Sequence, residues 1–227
     1  MAQAYAIQDA AIGLWPDTVA GWKVGRIPEP VQAQHGGRRK LAGPVFGRAV
    51  LRHPASFPSI HGGLCAIEGE LILRMGQDIP PGALPDRSSL SAAIAGVFAG
   101  IEMASSPYAG MNDHGPAVTA SDFGVNGAVI LGQELPRIPA LDGQLQCTVS
   151  IDGAVQGSRE FSDTLGDPVT ILAEILEILF ERGIGLKGGD LVSTGAITGV
   201  HAMMPGQSGR AVFDLAGQRD EVDVVVV

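Results

Sequence analysis

Leu64-Cys65-Ala66-Ile67-Glu68-Gly69-Glu70-Leu71-Ile72-Leu73-Arg74-Met75 reads as one extended strand. Ile67, Leu71 and Leu73 fall on one parity and Glu68, Glu70 and Ile72 on the other, the period-two pattern of a pleated chain. Downstream, Asp86 to Gly96 reads as a short helix capped by Asp86 or Ser88, and Val97 to Met103 as a strand that brings Glu102 back to the same sheet. Upstream, Val19 to Gly25 reads as a glycine-bounded strand in which alternation sets Lys23 opposite Trp22 and Val24. Ala2 to Ile12 forms an opening helix with Tyr5, Ile7, Ala11 and Ile12 on one side, and Pro28 to Gly43 a mobile loop or lid. Asn126 to Leu131 and Leu145 to Ile151 are further strands, the second turning at Asp152-Gly153 into Ala154–Gln156. Pro168 to Arg182 carries Val169, Leu172, Ile175, Leu176 and Leu179 at helical spacing, and Asp190–Ile197, Arg210–Leu215 and Val222–Val227 close the chain as strands.

The 227 residues show neither a linker nor an internal repeat, so a single domain over 1–227 is expected. A chain 45% hydrophobic and only 17% charged has the balance of a core-rich globule and not of a disordered segment. Its 32 glycines and 15 prolines follow no period and favour many turns between short strands. The net charge of -9 argues against nucleic acid as a partner, since the one basic run, His35-Gly36-Gly37-Arg38-Arg39-Lys40, reads as a solvated loop. The same charge repels anions, so a site for an anionic substrate needs local positive charge, which a divalent cation would provide. Cys65 and Cys147 are isolated and read as small buried hydrophobes. The N-terminus lacks a basic n-region and apolar core, which makes the cytoplasm the expected location. The longest stretch without Lys, Arg, Asp or Glu, Leu191 to Gly209, is broken by Ser, Thr, His, Pro and Gly, unlike a membrane span.

Glu68 and Glu70 project the same way about two residue rises apart, close enough to grip one hard cation. Two like charges in an apolar strand are costly to desolvate unless a cation or proton neutralises them. By spacing alone the pair reads more readily as an exposed acidic face than as a metal site. Glu102, in Gly100-Ile101-Glu102-Met103-Ala104, offers a third carboxylate or a solvated strand end. Asp122, in Ala120-Ser121-Asp122-Phe123-Gly124, reads as a turn residue or as one that orients a site.

Gly21-Trp22-Lys23-Val24-Gly25, Ile67-Glu68-Gly69-Glu70, Ile101-Glu102-Met103-Ala104-Ser105-Ser106 and Gly195-Ala196-Ile197-Thr198-Gly199 occur in that order. In these segments the chain resembles the 2-keto-4-pentenoate hydratase and 4-oxalocrotonate decarboxylase family of the fumarylacetoacetate hydrolase superfamily. The likeness extends over nearly the whole chain, with Ala120 to Gly132 and Gly189 to Val192 adding to it. The resemblance implies an α+β fold, a mixed β-roll or β-sandwich with a few flanking helices, and an N-terminal helical segment that is missing or shortened here. It implies that Glu68, Glu70 and Glu102 bind Mg²⁺ or Mn²⁺ and that Lys23 is the catalytic residue beside the substrate. The substrate so implied is a small 2-oxo acid or 2-hydroxydienoate, chelated through its carboxylate and C2 oxygen, with the cation stabilising the enolate. Thr198, the Gly195 and Ala196 amides, and Asp122 are the expected substrate contacts. A homo-oligomer, at least a dimer, is also implied.

Hydration of a 2-hydroxypenta-2,4-dienoate-like acid is the first expected reaction, with decarboxylation of a 4-oxalocrotonate-like or oxaloacetate-like acid its nearest rival. Hydratases of this group tend to carry an acid after the loop that follows the lysine strand, where this chain has Gly43-Pro44-Val45-Phe46-Gly47-Arg48. No Asp or Glu occurs between Glu29 and Glu68, which leaves His53 or His61 as substitutes for the general acid or base. Acylpyruvate hydrolysis ranks third, because no short His/Glu motif is evident. A non-catalytic relative that binds metal or metabolite is the alternative of a different class.

Overall fold

A computed structural model describes residues 1–135, 145–160, 167–215 and 217–227. In chain order the elements are α1 (Ala2–Leu14), β1 (Val19–Arg26), α2 (Glu29–Gln32), β2 (Lys40–Phe46), β3 (Val50–Arg52), β4 (Ala55–Phe57) and β5 (Leu64–Met75). There follow α3 (Arg87–Ala93), β6 (Ile94–Ser106), α4 (Pro116–Ser121), β7 (Asn126–Leu135), β8 (Leu145–Ile151), β9 (Ala154–Glu160) and α5 (Pro168–Glu181). The last strands are β10 (Leu191–Ser193), β11 (His201–Ala202), β12 (Ser208–Leu215) and β13 (Gln218–Val226).

These strands form two curled mixed sheets. The larger runs β2-β1-β10-β5-β6-β7-β3, with β11 also paired to β5, and the smaller runs β4-β13-β12-β8-β9. Pairs β1–β10, β3–β7 and β4–β13 are parallel and the others antiparallel. β5 lies near the centre of the larger sheet, and its alternation has a physical origin there: Ile67, Leu71 and Leu73 enter the main apolar core while Glu68 and Glu70 lie on the other parity. Between the glutamates, Gly69 lets the smaller sheet come close, since a Cβ there would sit 2.7 Å from Cys147 Sγ and 3.0 Å from Val149 Cγ2. The carboxylates project from the opposite face of β5, where they are buried as well.

α5 starts where Asp167 accepts the Val169 and Thr170 amides, with Pro168 in the first turn, and its apolar stripe of Ile171, Leu172, Ile175 and Leu179 is buried. Arg87 of α3 pairs with Asp167 at 2.8 Å and ties the two helices together. No helix among the described residues is long and apolar enough to cross a membrane.

The structure corrects several sequence expectations. The segment expected as a mobile lid contains α2 and then β2, which is buried throughout its length. Its basic run is anchored as well, with Arg38 on Glu181 and Arg39 on Glu174 of α5. α1 buries Ala4, Tyr5 and Gln8 and leaves Ile7 exposed, because Gln8 donates to the carbonyls of Ala42 and Ala120. The strand expected over Asp190–Ile197 ends at Ser193, and β6 continues past Glu102 to Ser106.

Candidate metal centre and its cavity

Glu68 and Glu102 are direct partners in the β5–β6 ladder, so three carboxylates converge from two adjacent strands. One oxygen from each of Glu68, Glu70 and Glu102 lies within 4.8 Å of the other two. All three residues are buried, Glu70 and Glu102 completely, which sets aside the readings of an exposed acidic face and a solvated strand end. Lys23, buried on β1, places Nζ 3.0 Å from Glu102 Oε1 and donates to the Gly124 carbonyl at 3.1 Å. That carbonyl is aimed by a run of left-handed backbone, Phe123 (φ 51°), Gly124 (φ 65°) and Val125 (φ 57°). For β-branched Val125 this conformation is strained, a cost carried by the surrounding packing.

Neighbouring groups hold the carboxylates in place. Asn126 Nδ2 donates to Glu102 Oε1 at 3.1 Å, while the Ser193 hydroxyl and the Gly195 amide, the latter at 2.9 Å, donate to Glu70 Oε2. Glu70 Oε1 and Glu102 Oε2 are buried without a hydrogen-bond partner. One ammonium against three carboxylates leaves two negative charges uncompensated, the charge of one divalent cation. Burial, followed by the Glu102 charge, pushes the Glu68 carboxyl up to about 7. Burial, then Glu102 and Glu68, raises Glu70 well above the ordinary carboxylate range. Burial works against the Lys23 charge, but Glu102, then Glu68 and Glu70, outweigh it and keep this lysine protonated. Hard oxygen donors, orphaned buried oxygens and matching charge all fit a divalent cation of the Mg²⁺ type.

Lys23 and Glu68 line a cavity of about 330 Å³ together with Ala196 and Thr198. Gly195 lines it too, but its amide is taken by Glu70 and is therefore not a substrate donor. Asp122 lies elsewhere. It lines a larger cavity of about 580 Å³, walled by Trp15, Phe46 and Phe123, in which none of the three glutamates takes part. Neither His53 nor His61 lines the glutamate cavity among the described residues. Several polar groups at the site were not singled out from the sequence. Asn126 and Ser193 lie inside or beside the segments that carry the resemblance, so carrying those segments through to single residues would have found them. Lys40, which lines the cavity, ends the basic run expected as a solvated loop but is buried, while His201, whose Nε2 is 3.0 Å from Thr198 Oγ1, and the cavity-lining Arg26 and Arg159 carry no local sequence signal.

Residues 46–226 match the family model described as fumarylacetoacetate (FAA) hydrolase C-terminal. The chain belongs to this family. Among solved structures of the same fold is 4-oxalocrotonate decarboxylase from Pseudomonas putida G7, complexed with magnesium and adipate. It shares 20% identity at a TM-score of 0.82, over 100% of this chain and 86% of that one. The same enzyme complexed with calcium and acetate superposes at 0.81, with 20% identity over 100% and 85% of the two chains. The 2-hydroxyhepta-2,4-diene-1,7-dioate isomerase from Mycobacterium marinum matches at 0.62 and 18% identity, over 93% of this chain and 76% of that one. At these identities the likeness establishes the family fold.

Proposed function

We propose that this protein is a divalent-metal-dependent lyase of unsaturated 2-oxo acids, with residues 1–227 acting as one catalytic domain and the molecule at least a dimer. The observation that carries the reading is the buried trio Glu68, Glu70 and Glu102 with Lys23 against it. A Mg²⁺ or Mn²⁺ ion held by the three glutamates would supply Lewis-acid stabilisation of negative charge on the C2 oxygen. Lys23 is held protonated, so it acts at that end of the substrate as a fixed charge and not as a base. Ala196 and Thr198 form the wall beside it, with the Ala196 amide and the Thr198 hydroxyl as candidate donors to the substrate carboxylate.

Of the two lyase reactions, decarboxylation is favoured. It breaks the C–C bond to a terminal carboxylate, releases CO₂, and sends the electron pair through the conjugated chain to the C2 oxygen, which takes a proton from water. Hydration needs in addition a group to position water at the far double bond. Glu68 is the single carboxylate lining the cavity among the described residues, and it belongs to the metal set. This reverses the order expected from the resemblance. Hydration stands second on one observation, the Thr198–His201 pair, in which burial pushes the imidazole pKa down and favours the neutral, proton-accepting form.

The test is to incubate the protein with 4-oxalocrotonate and with 2-hydroxypentadienoate, with and without Mg²⁺ or Mn²⁺, following CO₂ and ultraviolet absorbance. Metal-dependent CO₂ release from 4-oxalocrotonate is the expected result, with Glu68→Gln losing both metal affinity and turnover. Turnover of the dienoate alone would move the assignment to hydration, and turnover of neither acid would end the lyase reading. Light scattering tests the oligomer.

A further inference from the structure

β2 lies at the edge of the larger sheet, so alternate residues turn their N–H and C=O groups away from β1 with no strand to receive them. At Ala42 both groups are taken by side chains of α1. The amide donates to Tyr5 Oη at 3.1 Å, and the carbonyl accepts from Gln8 Nε2 at 2.9 Å. The same Gln8 nitrogen donates to the Ala120 carbonyl at 2.6 Å. Ala120 lies in the last turn of α4, where carbonyls have no partner along the helix. Two carbonyl acceptors fix which way the Gln8 amide points, and its Oε1 is left buried without a partner. Packing alone does not account for a glutamine in this fully buried position, since an apolar side chain would fill the space without that orphaned oxygen. What the glutamine adds is the junction between the two carbonyls.

Both carbonyls belong to elements that hold Lys23. Ala42 precedes Gly43, the ladder partner of Lys23, and Ala120 shortly precedes Gly124, whose carbonyl accepts from Lys23 Nζ. One nitrogen therefore ties the strand paired with the Lys23 backbone to the turn that holds its ammonium. α1 is itself pinned to the frame. Asp9 pairs with Arg182, and that guanidinium stacks on Tyr5 at 4.7 Å and on Trp22, the neighbour of Lys23, at 4.9 Å. We propose that Gln8 is a positioning residue for Lys23: by bridging the Ala42 and Ala120 carbonyls it fixes the Gly124 carbonyl relative to β1 and so aims the ammonium at Glu102. Gln8 belongs neither to the glutamate trio nor to the cavity wall, so it acts only through Lys23. That Lys23 works on a substrate rests on the function proposed above, whereas its placement by Gln8 does not.

The chain has three lysines, Lys23, Lys40 and Lys187, so isotopic labelling of lysine nitrogen gives a magnetic resonance spectrum in which one ammonium can be followed. Lys23 is buried and held between Glu102 Oε1 and the Gly124 carbonyl, so its ammonium protons should exchange slowly with water. Lys23→Met assigns the signal by its loss. Gln8→Met keeps the length of the side chain and removes the donor. It should speed that exchange at least about tenfold, and lower kcat on whichever acid the protein turns over by about tenfold to a hundredfold with KM little changed. Tyr5→Phe is the structural control, because it frees the Ala42 amide and leaves the bridge to Ala120 intact. It should lower the Tm without altering Lys23 exchange. If Gln8→Met does not fold, Gln8→Asn takes its place, since it keeps the amide on a chain too short to reach both carbonyls. Unchanged Lys23 exchange in the Gln8 variant overturns the proposal. Equal acceleration by Tyr5→Phe overturns it as well, because α1 would then only stiffen the fold. The exchange measurement needs no substrate, so turnover of neither acid would end the lyase reading while faster exchange in the Gln8 variant still upheld this one.

Discussion

Gly69 gives up a side chain so that Cys147 and Val149 can pack against one face of β5, while the glutamates on either side of it are buried on the opposite face. Burying acids costs free energy, and the protein limits that cost by fixing Glu70 and Glu102 with specific donors. Asn126 is the donor whose removal is most informative, because it touches Glu102 and lies outside the proposed ligand set. Partners of this kind set the orientation and basicity of a ligand, so Asn126→Ala is expected to weaken Mg²⁺ binding roughly tenfold or more with the fold retained. Unchanged affinity by titration calorimetry would mean that Glu102 needs no orienting partner. The raised carboxyls also set a pH dependence. With the Glu68 pKa about 7 and Glu70 higher still, the metal-free native state holds protons that the unfolded chain releases in the ordinary carboxylate range. Their stabilising contribution is complete below that range and is lost as pH rises through the folded values. In EDTA the Tm should therefore fall between pH 6 and pH 8, and Mg²⁺ should restore more at pH 8 than at pH 6. A metal-free Tm that climbs over this window would contradict the buried trio.

β2 and the loop after α4 act as one element in holding Lys23. Gly43 is the ladder partner of Lys23, and a Cβ on it would lie 2.0 Å from the Phe123 carbonyl oxygen, next to the Gly124 carbonyl that Lys23 uses. Backbone cannot yield as a side-chain tip can, so Gly43→Ala is expected to cost about 1–3 kcal/mol, read as a fall in Tm, and to reduce turnover by shifting Lys23. At α5, Asp167→Ala removes a cap and the Arg87 pair and should cost about 1 kcal/mol, or roughly 2–4 °C in Tm. How far these elements were legible depends on where each side chain goes. α5 buries one stripe, and β5 sets glutamates on one parity against apolar residues on the other, so their periods are visible in the sequence. β2 is buried on both faces and contains Gly43 and Pro44, so it shows no alternation and reads as a loop. β10 stops early for a local reason. At Gly195 (φ 98°) the chain leaves the ladder so that its amide can reach Glu70, and a polar contact of this kind has no signature in hydrophobic pattern.

Across the whole molecule, the site gathers Lys23, Glu68, Glu70, Glu102 and Thr198 from distant parts of the chain to one face of the larger sheet. The ordered segments made the glutamates and Lys23 legible. Asp122, expected at the substrate, lines the aromatic-walled cavity and not the glutamate cavity. A buried site that holds uncompensated negative charge makes the stability of the whole fold depend on a cation. A ligand that binds only the folded state at 100 times its Kd stabilises by about 2.7 kcal/mol. For a chain of this size that corresponds to a rise of about 5–10 °C in Tm. Mg²⁺ should produce this rise, EDTA should reverse it, and Glu68→Gln should abolish most of it. NaCl at equal ionic strength is the deciding control, because screening acts on exposed charges and leaves buried ones nearly untouched. If NaCl reproduced the full shift, the stabilisation would belong to the surface, and the three buried carboxylates would have to be neutralised by protons instead of a metal ion.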